Sequence, residues 1–424
     1  MRIFSLLLLV VAINGMPLCA MAGSSEYSIS LGLGQEYNSN VSETQEPEAD
    51  WISKGSAAGT FWYNSARFGV DGSVNGSYNV YALGTRGDEF RGSAHLGTKI
   101  TVVENLFFVE ARGNFEQVYQ NLIQGETNPT DSGRGQVDQY RVSGSAYITP
   151  RISDRLTSRV GYDFSTYIYG GAPTGTGPNY YSSSSGTAYS GGVFDKASHT
   201  LSANLTYELT PTVQLMLDAN SSLQNSTGGS LNRSYVSGGF VWNYSQDGSI
   251  HAKAGPRISI YNNGTTNVNT FLDAGWSQQF GRFNVGATVS SQYVDNPSSV
   301  YSSLQNSVGM SVGWSGERLR LSANASYGLT TGEDTANSNQ LSLGVTANYA
   351  LTSRLSLSLG ASRDEALATR YSQVRWYANG GLSYDLGRNF SVDGYYRWKL
   401  SESGQGISRN YSVNVVGVNL RKSF

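Results

Sequence analysis

Cysteine is nearly missing from this chain: there is one, Cys19, in 424 residues. It falls in a segment that reads as a removable leader. The remainder can then form no disulfide and offers no thiolate to a metal or a substrate. Charge is scarce too, at 14% of residues, with 29 Lys and Arg against 31 Asp and Glu. Exposed helix faces need Glu, Lys and Arg, so this composition argues against a helical protein. A net charge of −2 gives nucleic acid nothing to hold. Long apolar runs are absent after the first 20 or so residues, so no later segment matches a membrane-spanning helix. Histidine occurs only three times, at His95, His199 and His251, without metal-ligand spacing.

What is abundant is glycine (50) and tyrosine (28), together with Ser, Asn and Thr. Such a mixture suits an all-β chain. At the N-terminus, Arg2, the apolar run "FSLLLLVVAI" and the small-x-small "AMA" at 20–22 read as a signal peptide cut after Ala22. A lipoprotein signal using Cys19 is the weaker alternative, because the preceding "MPL" lacks small residues. A retained anchor is weaker still, since the run is shorter than a span requires. The expected organisation is therefore residues 1–22 as leader and 23–424 as one domain, its first strand beginning at once and leaving no room for an N-terminal plug.

The stretch "TANYALTSRLSLSLGAS" (346–362) shows the organising pattern. Leu355, Leu357 and Leu359 share one face of a period-2 strand, and Ser356 and Ser358 share the other. "LTSR" interrupts the alternation, which then resumes. "LTYELTPTVQLML" (205–217) repeats the form and "LSYDLGRNFSVDGYY" (382–396) varies it. Six more short turns fall near 64–67, 103–105, 149–154, 245–248, 281 and 315–317. Between them lie longer polar connections, including 42–50, 124–136, 170–195, 295–301 and 332–338. Two strands per turn give about 20 strands, with 18 as the alternative, in an up-and-down antiparallel sheet with unlike ends.

A soluble sandwich alternates as well, but two features favour a transmembrane barrel. Aromatics precede the short turns on the apolar face: Trp62 with Tyr63, Tyr207, Trp242 with Tyr244, Trp276 with Phe280, Trp314, Tyr349 and Tyr384. Rings at one level read as an interfacial girdle. The last strand carries Val416, Val418 and Leu420 at two-residue spacing and runs to Phe424, as a closing strand would. The expected fold is an all-β, transmembrane, up-and-down barrel in the outer membrane of a Gram-negative cell. Outer-membrane lipid is then its immediate partner.

A barrel of this size is wide enough for an aqueous channel unless something fills it. The candidate pore-lining cations are Arg91, Lys99, Arg112, Arg141, Arg159, Arg257, Arg320, Arg375, Arg397 and Lys399. The candidate anions are Glu110, Glu116, Asp163 and Asp393. Lys253, Arg282, Asp71, Glu89, Glu208, Asp218, Asp273, Asp364 and Asp385 join the same inward set, which is close to neutral. Such a lumen suits neutral or mixed-charge hydrophilic solutes, sugars included. The 170–195 connection is a further candidate, as a constriction or an external loop. No residue pattern marks a catalytic site, a metal or a cofactor. "GLGQEYN" (32–38) sits in a strand with no helix behind it, which removes a phosphate-cradling reading.

"SLGLGQEYNSNV" (30–41), the "LTPTVQL" and "LTSRLSLSL" turns and the closing "RNYSVNVVGVNLRKSF" (409–424) resemble the β-barrel porin 2 family. Lys422 departs from it, because such final strands more often carry an apolar or aromatic residue there. Members often occur in exopolysaccharide or exosortase gene clusters. The resemblance implies no catalytic residues. It implies a conduit or accessory for polysaccharide export, with exported polysaccharide and periplasmic export components as partners. A general diffusion porin and a scaffold barrel without an open pore are the alternatives.

Overall fold

A computed structural model describes residues 23–119, 136–170, 193–295, 297, 299–331, 337–368, 371–403 and 410–424. The expected leader, 1–22, lies outside them, as do nearly all of 170–195 and most of 124–136 and 332–338. Strands account for almost everything described. The first five are β1 (Gly23–Asn38), β2 (Asp50–Ser65), β3 (Phe68–Tyr81), β4 (Glu89–Val103) and β5 (Phe107–Tyr119). Next come β6 (Gln136–Ile148), β7 (Leu156–Gly170), β8 (Lys196–Thr210), β9 (Val213–Ser226) and β10 (Gly229–Ser245). They are followed by β11 (Gly248–Tyr261), β12 (Thr266–Phe280), β13 (Phe283–Val294), β14 (Ser303–Ser315) and β15 (Leu319–Thr331). The last are β16 (Ser338–Ala350), β17 (Leu355–Ala368), β18 (Tyr371–Gly387), β19 (Phe390–Ser403) and β20 (Tyr411–Ser423).

Each strand pairs antiparallel with the next, and β1 pairs β20 from Ser30↔Ser423 to Asn38↔Val415. The single 20-stranded sheet is thereby a closed barrel. Closure leaves no edge facing lipid, which is what a spanning β-structure requires.

The alternation in the sequence becomes the two faces of the wall. On β20, Val416, Val418 and Leu420 stand outward, whereas Val413 and Val415 face inward and are each 1% exposed. Leu33 and Val268 are 71% and 70% exposed on the outside. A continuous exposed apolar belt of this kind demands a lipid solvent rather than water. Trp242, Trp276, Phe280, Trp314, Tyr349 and Tyr384 take outward positions near the short turns, and an edge-to-face contact with Tyr244 holds Trp242. Trp62 departs from the expectation. It pairs with Glu26 and Asp71 on the inner face, while its neighbours Phe61 and Tyr63 point outward. Adjacent residues of a strand cannot share a face.

The nine short turns lie at the end that carries Gly23 and Ser423. In two of them the repeated "LT" has a local cause. The Thr210 hydroxyl accepts from the backbone N–H of Val213 (3.0 Å), and the Thr352 hydroxyl accepts from Arg354 (3.2 Å) and Leu355 (3.0 Å). Each threonine closes its own turn. The β18–β19 turn places Arg388 (φ 52) and Asn389 (φ 63) both in the left-handed region, the backbone of a type I′ hairpin. Lys422 ends beside this turn. Its ammonium donates to the Arg388 carbonyl and lies over Phe390 (4.2 Å) and Phe424 (5.6 Å), reaching out of the apolar belt along two rings.

Candidate functional site

The inner wall is mainly a field of small polar pairs across neighbouring strands. Ser28–Thr60, Asn75–Ser93, Ser249–Ser277, Ser290–Ser307 and Ser322–Thr346 bond at 2.6–2.9 Å. Such pairs satisfy each other and still present oxygen to water.

All the candidate pore-lining residues occupy positions on this inner side of their strands, but they fall into two environments. Arg112, Glu116, Arg141, Arg159 and Arg320 are exposed to the lumen. Lys99 and Arg112 approach the two oxygens of Glu110 at 3.7 and 3.2 Å, and Tyr147 donates to the oxygen on the Lys99 side at 2.7 Å. Arg159 lies 4.0 Å over the Tyr147 ring. Arg91 bonds Glu89 (2.9 Å), while Asp163 and Asp393 are half-buried. Arg397 and Lys54 converge on the buried Glu36 at 2.5 and 2.6 Å, where Tyr395 adds a third donor at 2.7 Å. Arg257, Arg375 and Lys399 are 3%, 6% and 1% exposed, covered by the surrounding protein rather than facing open lumen.

Part of that cover is chain that folds inward at the end opposite the short turns. The β1–β2 connection runs back over the rim of β19 and β20. Asn40 donates its amide to the Ser412 carbonyl (3.3 Å), and Val41 packs with Ile52 and Tyr81. Glu43 is held at both carboxylate oxygens, by Lys399 (3.1 Å) and by the Tyr411 hydroxyl (3.0 Å).

The second segment is the top of the β13–β14 hairpin. Pairing between β12 and β13 climbs from Phe280↔Phe283 to Leu272↔Ser291 and stops. Beyond Ser291, β13 keeps only β14 as partner and leans into the barrel. Arg257 fills the wedge. It donates to the Ser291 carbonyl (3.0 Å) and hydroxyl (2.9 Å), to the Thr270 carbonyl (3.4 Å) and to Asn269 (2.6 Å). A guanidinium thus takes the place of ladder hydrogen bonds where two strands part. Farther along, Tyr301 packs on Leu231 and Tyr261, Gln224 bonds Ser302, and Pro297 accepts from the Phe194 backbone. At the leading end Asp295 reaches Lys196 (2.8 Å) and the Tyr169 hydroxyl. From β13 to β8 is five strand spacings, roughly 25 Å along the wall.

The sequence reading treats 295–301 as an external loop, and the structure turns it inward. The cause lies in side chains elsewhere, chiefly Leu231, an apolar residue in an inward row of polar ones, and the inward Tyr261. Those interruptions were the available signal. The 170–195 candidate constriction lies almost wholly outside the described residues. The histidines serve separate local roles. His95 bonds Asp71 (3.0 Å) and Asn114 (2.6 Å), His251 lies 3.7 Å from Asp273, and His199 faces outward against Tyr162 and Phe164. No group of three or more potential metal ligands occurs among the described residues.

Comparison with solved structures agrees with this barrel. A ferric enterobactin receptor mutant from Pseudomonas aeruginosa superposes with a TM-score of 0.53 at 12% identity, over 95% of this chain and 81% of that chain. The siderophore receptor PirA from Acinetobacter baumannii gives 0.51 at 10% identity, with the same coverage. At these identities the likeness is one of fold. The family model that matches, over residues 281–415, is described as "Putative MetA-pathway of phenol degradation". It differs from the family the motifs resemble, and the match covers less than half of the chain. No curated protein matches. The chain is a 20-stranded β-barrel of the Gram-negative outer membrane, of the architecture found in transporters and receptors there.

Proposed function

We propose that the protein is an outer-membrane channel for hydrophilic solutes. The observation that carries this is the inner wall: a closed ring of 20 strands lined by paired hydroxyls, amides and mixed charges. A wall of that chemistry is stable only when wetted. Arg112, Glu116, Arg141, Arg159 and Arg320 are the proposed lining charges. The exposed hydroxyl and amide field offers a sugar many equivalent partners and no deep well, so a saccharide can move from one set of contacts to the next. Passage of a polysaccharide, with periplasmic export components behind it, is the finer reading and rests on the family resemblance. No catalytic role is proposed.

The inward segments favour a second reading within the same class, a diffusion porin for small solutes, because they narrow the path at one end. Liposome swelling with neutral sugars of graded length separates the two. Entry that falls off sharply beyond a disaccharide supports the small-solute porin. Entry that persists into long oligomers supports the polymer conduit. No swelling with any sugar contradicts the channel.

A further inference from the structure

The seat that holds Asp295 has the chemistry of a ligand site, and the protein occupies it with its own carboxylate. Lys196 contributes an ammonium from a side chain only 1% exposed, and Tyr169 contributes a hydroxyl to the second carboxylate oxygen. A cation this deeply covered requires a carboxylate or equivalent anion opposite it. The surroundings hold more positive charge than Asp295 alone balances. Arg141 lies 5.1 Å over the Tyr167 ring, and Arg233 lies 4.6 Å over Tyr293. Neither arginine forms an ion pair among the described residues, and Arg233 Nε is buried there without a hydrogen bond. Tyr167 faces Lys196 across the β7–β8 ladder and lies within electrostatic reach of Arg141, Arg233 and Asp295 together. Two further carboxylates lie nearby: Glu116 is within that reach, and Asp195 accepts from the Tyr169 backbone N–H at 2.9 Å.

The occupant is also attached in a way that permits exchange. Asp295 follows the part of β13 that has left the β12 ladder, so no wall strand fixes its backbone on that side. Tyr301 and Ser302 anchor the hairpin top farther along, through Asn262 and Gln224, and can stay in place while Asp295 moves aside.

We infer that Lys196, Tyr169, Arg141 and Arg233 form a binding site for a carboxylate-bearing hydrophilic solute, an acidic saccharide, and that Asp295 is the internal carboxylate it displaces. The carboxylate takes the place of the Asp295 side chain between Lys196 and Tyr169. A second acid group or ring oxygen meets Arg141 or Arg233, and the Tyr167 ring supplies a face for stacking. This deepens the channel reading and rests on it.

The test is single-channel block by a galacturonate trimer and by maltotriose, a neutral trimer, in folded wild-type protein, in Asp295→Ala and in the double variant Lys196→Gln/Asp295→Asn. The wild type should be blocked at lower concentration by the acidic trimer. Removing the internal competitor in Asp295→Ala should tighten that block by about tenfold, the scale of one charge-assisted hydrogen bond. The double variant keeps the shape without either charge and should lose most of the preference. Equal block by both trimers in wild type and Asp295→Ala overturns the inference while leaving the channel standing. Should the wild type conduct nothing, the channel reading fails. Titration calorimetry of the detergent-solubilised barrel with the same trimers then decides the site: acid-selective binding strengthened in Asp295→Ala supports it, and no binding overturns it.

Discussion

At Leu321 and Ser322, neighbours on β15, the two solvents of this protein meet. Leu321 stands outward at 43% exposure, and Ser322 turns inward to bond Thr346 at 2.6 Å. Arginine at Leu321 should therefore cost about 2–4 kcal/mol if it lies near the bilayer midplane, against less than about 1 kcal/mol for arginine at Ser322. Urea unfolding in lipid vesicles measures both, and equal costs would contradict the assignment of faces. Such assignments were legible residue by residue because period-2 alternation is a local signal. Trp62 was not, since its bulk and aromaticity suit the girdle and only the register with Glu26 and Asp71 puts it inside. Lys422 likewise looked like an exception until Phe390, Phe424 and the Arg388 carbonyl gave its ammonium a place.

Among the elements, the short turns were the most readable because their chemistry is carried within four residues. Replacing Thr352 by valine removes the acceptor for two backbone N–H groups while keeping the side-chain shape. The expected loss is about 0.5–1.5 kcal/mol in the same unfolding measurement. The departure of β13 from β12 belongs to the opposite case. Nothing between Phe283 and Val294 announces it. It depends on Arg257 in β11 and on the apolar and tyrosine patch formed by Leu231, Tyr261 and Tyr301. Arg257→Met would leave the buried Ser291 carbonyl, and the partly covered Thr270 carbonyl, without their donor. A loss of about 2–4 kcal/mol is expected. Hydrogen exchange should rise in residues 266–271 of β12, and unchanged exchange there would show that Arg257 does not hold the wedge.

For the whole molecule, strand number and closure followed from counting turns, because each turn fixes two strands and antiparallel neighbours need no long-range information. What fills the lumen did not follow. The inward segments are set by contacts between residues far apart in sequence, such as Lys196 with Asp295 and Lys399 with Glu43. These two pairings repeat one chemistry at separate parts of the rim, a covered lysine and a tyrosine hydroxyl sharing a loop carboxylate. Under the proposed channel function, water and solute pass along the lumen that the barrel wall encloses. Single-channel conductance of the purified, folded protein in a planar bilayer tests it most directly. Discrete openings with weak ion selectivity are expected, since the exposed inner positions carry Asp71, Glu116, Glu208 and Asp385 as well as Lys99, Arg112, Arg141, Arg159 and Arg320. A correctly folded barrel that inserts yet carries no current would contradict it.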